Sequence, residues 1–241
     1  MKAETHRSRA STDDAATETE AARWNGRLIL ASASPRRRQL VGLIGWPVDV
    51  RPASADETAR PGETGRELTR RLARLKALAV APPQGALVLS ADTTVVDGDD
   101  LLGKPADRPA AREMLERLRG REHRAVTSIA VRAPDGTLRV DTCESSVPMR
   151  AYGDDEIERY LAGGGAFDKA GGYGIQDGRF EPVDMQSFHD CFANVMGLPL
   201  CHVVRTLRRL GVEPATDVPA ACIAHLGYDC RVYAAILGEA V

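Results

Sequence analysis

Long apolar runs are missing from this 241-residue chain, and no stretch approaches the length of a transmembrane helix. Residues 1–26 lack the apolar core of a secretion signal, so a cytoplasmic protein with no membrane partner is expected. A strong net charge is missing too. With 32 basic and 34 acidic side chains the balance is −2, which gives no global field for a nucleic acid but leaves room for a local cluster around a small anion. The five cysteines, Cys143, Cys191, Cys201, Cys222 and Cys230, are odd in number and supply no disulfide framework. Cys222, His225 and Cys230 fall close together in no zinc spacing and read as half-buried thiols. Lysine is scarce: it stands only at positions 2, 76, 104 and 169, so 28 of the 32 basic residues are arginine. The three interior lysines are therefore notable, because a compact ammonium suits places where the planar guanidinium fork does not fit.

What is present describes one large α/β domain or a two-lobed domain with a cleft. Hydrophobic residues make up 43% of the chain, enough for a sizeable core at this length. Residues 1–26 carry no period that buries a face and read as a disordered tail. A strand is expected at 28–31, followed by a helix with Ser34 as N-cap and Pro35 at its first position, ended by Gly45. A second strand covers 48–51. Leu68, Leu72, Leu75 and Ala79 recur at helical spacing and predict a helix over 67–80. A short strand is expected at 86–90, stopping before Asp92. Asp107 and Pro109 open a helix with Ala111, Met114, Leu115 and Leu118 inward. Residues 126–131 and 138–147 read as a hairpin across Pro134-Asp135-Gly136. Helices follow at 154–161 and 198–210, with a packed segment at 232–237. A hairpin among alternating strands and helices implies a mixed sheet with helices packed on it.

Four segments carry candidate chemistry. In Ala31-Ser32-Ala33-Ser34-Pro35-Arg36-Arg37-Arg38, three arginines crowd the first turn of a helix, where a cation is normally unfavourable by about 0.3–1 kcal/mol. The sign reverses if an anion sits there, since free N–H groups, hydroxyls and guanidinium groups all donate to it. Ser32, Arg36 and Arg37 are the expected phosphate contacts, and Arg38 reads as solvated. In Ser90-Ala91-Asp92-Thr93-Thr94 a carboxylate interrupts an apolar run. That fits a metal or proton-transfer role, or a turn-forming Asp at a strand end. Gly103-Lys104-Pro105 fixes a lysine before a helix, while Lys76 flanks an apolar stripe with its ammonium free to reach a cleft. Asp168-Lys169-Ala170-Gly171-Gly172-Tyr173-Gly174-Ile175-Gln176 allows close backbone approach to a ligand, and Gln176 can read a base edge. Asn194-Val195-Met196-Gly197-Leu198-Pro199 reads as a turn into a helix.

In this order the blocks resemble the Maf family over residues 27–210. The resemblance implies a mixed α/β fold with packed helices and a central cleft, of the Maf/ITPase-like kind, with residues 211–241 as an extension. It implies hydrolysis of a nucleoside triphosphate at the α–β phosphoanhydride to monophosphate and pyrophosphate, with a divalent cation (Mg²⁺ or Mn²⁺). Asp92 matches the proton acceptor; Ser32, Arg36, Arg37, Lys76, Lys104 and Lys169 match the phosphate-gripping cleft; Glu57, with Asp92, matches the metal position. Arg36, Thr93 and Gln176 fall where the family sets substrate preference. Thr after the Asp and Gln in the later loop are similar to the subgroup acting on dTTP and UTP. The alternatives are a modified purine such as 7-methyl-GTP, in a housecleaning activity, or a nucleotide-binding regulator of septum formation. A homodimer is the expected quaternary state. The chain departs from the pattern at Asp177-Gly178 and at Ser187-Phe188-His189-Asp190-Cys191-Phe192-Ala193, where His189 and Cys191 are expected to be ordinary packing residues.

Overall fold

The computed structural model describes residues 24–238. The tail expected over residues 1–26 falls, through residue 23, outside the described residues. Six strands form one mixed sheet: β1 (Leu28–Leu30), β2 (Val48–Val50), β3 (Leu87–Asp97), β4 (Asp100–Leu102), β5 (Glu122–Arg132) and β6 (Leu138–Pro148). The order is β2-β1-β3-β5-β6, with β4 also on β3. β1 runs parallel to β2 and β3, whereas β4 and β5 are antiparallel to β3 and β6 is antiparallel to β5.

The sheet changes hand of pairing along β3, and a gap opens there. β1 pairs with β3 only as far as Leu30 opposite Leu89, and β4 begins opposite Val95. Between those points no strand pairs with that edge of β3 among the described residues, apart from the Ala31 N–H that donates to the Leu89 carbonyl. Ligands in open α/β sheets bind where the strand order reverses and leaves such a crevice. β3 is thus much longer than the short strand expected at 86–90, and Asp92 lies mid-strand opposite Ser128 rather than at a strand end. Its run of polar residues hid its length: Asp92, Thr93 and Thr94 line the cleft, and Ser90 donates to the Ala73 carbonyl.

The helices cover both faces. α1 (Pro35–Gly42) starts as expected, with the Ser34 hydroxyl accepting from the Arg37 N–H, but it ends at Gly42, ahead of Gly45. α2 (Gly65–Ala79) has a capping box between Thr64 and Glu67, which places its start two residues before the expected one. Gly65 is required: a Cβ there would meet a Val96 methyl at 2.5 Å. That close approach brings α2 down on the sheet and, three turns later, Lys76 over β3. α3 (Arg108–Leu118) buries Ala111, Leu115 and Leu118, with Met114 half-buried at the edge of the stripe. α4 (Asp154–Ala162), α5 (Phe192–Val195) and α6 (Leu200–Arg208) complete the part that resembles the family.

Residues 211–238 form α7 (Val218–Leu226) and α8 (Tyr233–Leu237), which pack on α5 and α6. The Thr216 hydroxyl donates to the Leu43 carbonyl, and the Tyr228 hydroxyl donates to that of Phe188. Cys191, Cys201, Cys222 and Cys230 line a small apolar cavity of about 10 Å³ under α7, while His225 is exposed. No helix among the described residues is long and apolar enough to cross a membrane.

Candidate active site

The gap beside β3 opens into a cleft of about 370 Å³. Each of the ten residues singled out from the sequence, Ser32, Arg36, Arg37, Glu57, Lys76, Asp92, Thr93, Lys104, Lys169 and Gln176, lines it. They come from the loop after β1, the start of α1, the segment before α2, α2 itself, β3, the loop before α3 and the glycine-rich loop after α4. His189 does not reach the cleft: it is exposed on the surface, contrary to the packing expected of it, while Cys191 is buried as expected.

Asp92 and Lys76 form the buried pole of the cleft. The Lys76 ammonium donates to Asp92 Oδ1 and to Glu57 Oε1, at 2.6 Å each. Both the lysine and the aspartate are more than nine-tenths buried, whereas the Glu57 side chain is half exposed. The two carboxylates on this one ammonium are driven apart. Burial pushes Asp92 above the usual carboxylate range, and Lys76 and Arg37 offset that only in part. Burial also works on Glu57, but the hydrogen bond and charge of Lys76 outweigh it and hold Glu57 below its usual value. Pairs of acids whose environments separate them in this way mark out which one stays ionised and which one can take a proton. Here Glu57 holds its charge more firmly, and Asp92 takes up a proton more readily.

Arg37 builds the back wall. Its Nε donates to the Gly197 carbonyl at 2.8 Å, Nη2 to Thr93 Oγ1 at 3.0 Å, and Nη1 to Ser32 Oγ at 3.3 Å. Gly197 explains the Asn-Val-Met-Gly turn that the sequence presented only as structural. Its φ is +104°, and a Cβ would lie 3.2 Å from Thr93 Oγ1 and 3.3 Å from Arg37 Nε. Asn194 anchors that turn from beneath, its amide donating to the Ala125 carbonyl and to Ser145 Oγ.

The hydroxyls behind Arg37 have a fixed direction. Thr127 donates to the Asn194 carbonyl at 3.0 Å and lies 2.9 Å from Thr93 Oγ1. A hydroxyl has one proton, so Thr127 accepts from Thr93, and Thr93 accepts from Arg37. Thr93 therefore turns only acceptor capacity toward the cleft.

The opposite rim is the glycine-rich loop. Arg36 reaches across and donates to Asp168 Oδ2 at 2.6 Å and to the Asp168 carbonyl at 3.2 Å. Lys169 donates to Asp168 Oδ1 at 2.6 Å and to the Gly165 carbonyl. Gly174 clears the path of Lys169, since a Cβ there would press on the lysine Cε at 2.8 Å. Tyr173 is buried, and its hydroxyl meets His123 Nε2 at 2.7 Å, which braces the loop from below. Lys104 and Gln176 are exposed at the mouth. Asp168, Gly197 and His123 are the contributors that sequence reasoning passed over. Asp168 stood in a quoted motif, and only its contacts show its part.

Residues 27–210 match the family model described as Maf-like protein. The chain belongs to the Maf family. Among curated relatives, the dTTP/UTP pyrophosphatase of Hahella chejuensis is 41% identical over 197 residues, covering 79% of this chain and 96% of that protein. The dTTP/UTP pyrophosphatase of Anaeromyxobacter dehalogenans is 44% identical over 198 residues, covering 80% and 98%. That of Thermomicrobium roseum is 44% identical over 201 residues, covering 81% and 91%. Among solved structures, the Ham1 protein of Staphylococcus aureus aligns with a TM-score of 0.38 at 19% identity, covering 53% of this chain and 74% of that one. A nucleoside-triphosphatase, dITP/XTP pyrophosphatase, from Mycobacterium abscessus aligns with a TM-score of 0.37 at 13% identity, covering 83% and 94%. The Maf match ends at residue 210, so α7 and α8 lie beyond it.

The donor set suits a hard divalent cation brought in with a phosphate chain. Among the described residues no three His, Cys, Asp or Glu side chains converge on one point. Glu57 and Asp92 offer two carboxylates at one place, and magnesium is commonly held by one or two carboxylates together with substrate phosphates.

Proposed function

We propose that this Maf protein hydrolyses dTTP and UTP between the α- and β-phosphates, releasing the nucleoside monophosphate and pyrophosphate. The observation that carries this reading is the company Asp92 keeps. A buried carboxylate with a raised proton affinity lies in a cleft that also presents Arg36, Arg37, Lys76, Lys104 and Lys169. A triphosphate is densely anionic, and only such a cluster allows a water molecule to approach its phosphorus. The curated relatives carry the same substrate pair in their names.

Asp92 accepts the proton of the attacking water at the α-phosphorus. Lys76 keeps Asp92 aimed at the cleft and neutralises the charge that gathers there. Arg36, Lys104 and Lys169 hold the β- and γ-phosphates, so the leaving pyrophosphate departs with its charge matched. Arg37, fixed by Gly197, Ser32 and Thr93, cannot swing away and supplies a rigid positive wall. Glu57 and Asp92 would hold a Mg²⁺ or Mn²⁺ ion, which supplies Lewis-acid polarisation of the phosphate oxygens when bound.

The preference for uracil and thymine rests on Thr93. Turned to the cleft as an acceptor, it suits an imide N–H, which both bases have and cytosine lacks. Gln176 at the mouth can pair with the carbonyl beside it. The test is product analysis with dTTP, UTP, CTP, GTP, 7-methyl-GTP and ITP, each with Mg²⁺ or Mn²⁺. Pyrophosphate and monophosphate are expected from dTTP and UTP, with CTP slower. Turnover confined to the purines would overturn the substrate assignment, and orthophosphate as the first product would overturn the reaction.

A further inference from the structure

We propose that Asp168 is a positioning residue that pairs with the phosphate-binding groups of the cleft and sets how tightly pyrophosphate is held. The inference rests on the pyrophosphatase reading above and concerns a residue that reading leaves without a part.

The cleft lining holds five cations, Arg36, Arg37, Lys76, Lys104 and Lys169, and three carboxylates, Glu57, Asp92 and Asp168. Their balance is two positive charges, about the negative charge left on a triphosphate that carries one divalent ion. The three carboxylates are not spread evenly. Glu57 and Asp92 share Lys76, and Asp168 alone holds both Arg36 and Lys169, one oxygen to each at 2.6 Å. A carboxylate with two oxygens on two different cations copies what a phosphate does at the same groups. Asp168 thus spans the cleft in the manner of the ligand, joining the start of α1 to the glycine-rich loop.

This pair of bridges is made to be exchanged. The Asp168 side chain is 56% exposed, whereas Arg36 and Lys169 are 19% and 12% exposed. Ion pairs with one partner in water add little to stability, so fold maintenance does not account for the arrangement. The cations are the sheltered partners, and the carboxylate is the one open to solvent. An arriving phosphate displaces it at small cost. After hydrolysis the same carboxylate competes with pyrophosphate for Arg36 and Lys169 and helps to expel it.

The experiment is titration of the full-length protein with inorganic pyrophosphate and Mg²⁺ by calorimetry, for the wild type, Asp168→Asn and Asp168→Glu, beside steady-state kinetics with dTTP. Asp168→Asn is expected to bind pyrophosphate about tenfold more tightly. Its KM and kcat are expected to fall together, leaving kcat/KM nearly unchanged, because product release becomes slower. Asp168→Glu keeps the charge and is expected to return pyrophosphate affinity toward that of the wild type. Unchanged or weaker pyrophosphate binding in Asp168→Asn, or a raised KM with kcat unchanged, would overturn the proposal and leave Asp168 as a brace for its loop. Failure of the wild type to turn over any nucleotide would count against the pyrophosphatase reading alone, since pyrophosphate affinity is read without turnover.

Discussion

Lys76 Nζ lies 2.6 Å from Asp92 Oδ1, and the two side chains are 8% and 9% exposed. One comes from α2 and the other from the middle of β3, and they meet because Gly65 lets the helix descend on the sheet. Attraction at this depth competes with the cost of taking both charges from water, and burial still leaves Asp92 with a raised proton affinity. The ion pair is better understood as a way to keep a reactive carboxylate tunable than as a source of stability.

Asp92→Asn should abolish the proton acceptor while leaving the phosphate grip in place. Turnover is expected to fall by about 10²–10⁴-fold, with nucleotide affinity by calorimetry changed only a few-fold. In the wild type the acid limb of kcat/KM should lie above the ordinary carboxylate range, because Asp92 must lose its proton first. Lys76→Met should move that limb further up, since the main opposing charge is gone. An acid limb that does not move in the Lys76 variant would separate Asp92 from the rate-limiting ionisation.

Gly197→Ala should damage the site through its back wall. The backbone at φ +104° resists any side chain, and the added methyl would crowd Arg37 and Thr93. A cost of about 1–3 kcal/mol in stability is expected, read as a shift in the urea midpoint. Activity should fall by more than unfolding explains, because the carbonyl that fixes Arg37 must move. Full activity per folded molecule would show that Arg37 is held well enough by Ser32 and Thr93.

Acid should destabilise the fold through its buried histidines. Burial lowers His123 and His202 from 6.5 to about 4 each, so both are neutral inside the protein. Below pH 6.5 the unfolded chain takes up protons that the folded one refuses. Their contribution is therefore intact above that value and lost as pH falls toward 4, on the order of 3 kcal/mol per residue. Denaturation midpoints at pH 7, 5.5 and 4.5 measure it. His123→Gln should flatten the slope, and an unaltered slope would place the acid sensitivity elsewhere.

Much of the fold was legible because its elements announce themselves locally. Ser34-Pro35 starts α1, the stripe from Leu68 to Ala79 gives α2, and Pro134-Asp135-Gly136 turns β5 into β6. The ten candidate residues singled out from the sequence all line one cleft. The length of β3 was not legible, because Asp92, Thr93 and Thr94 break its apolar run where they line the cleft, and Ser90 breaks it to reach the Ala73 carbonyl of α2. β4 had a signal in Asp97-Gly98, a turn with Gly98 at φ +63°, and α7 had one in Asp217-Val218-Pro219. The arginines that reach Asp168 and Gly197 lie 132 and 160 residues away in the chain, and no local pattern carries such information.

The bond from Arg37 Nε to the Gly197 carbonyl joins residues 160 positions apart. Chains are made from the N-terminus, so during synthesis the arginine is displayed long before its acceptor exists. A growing polypeptide therefore has Arg37 early but cannot lock it until the turn at Gly197 has left the ribosome. Any product truncated ahead of that glycine carries most of the motifs and lacks the back wall. The arginine is locked only once that turn has formed.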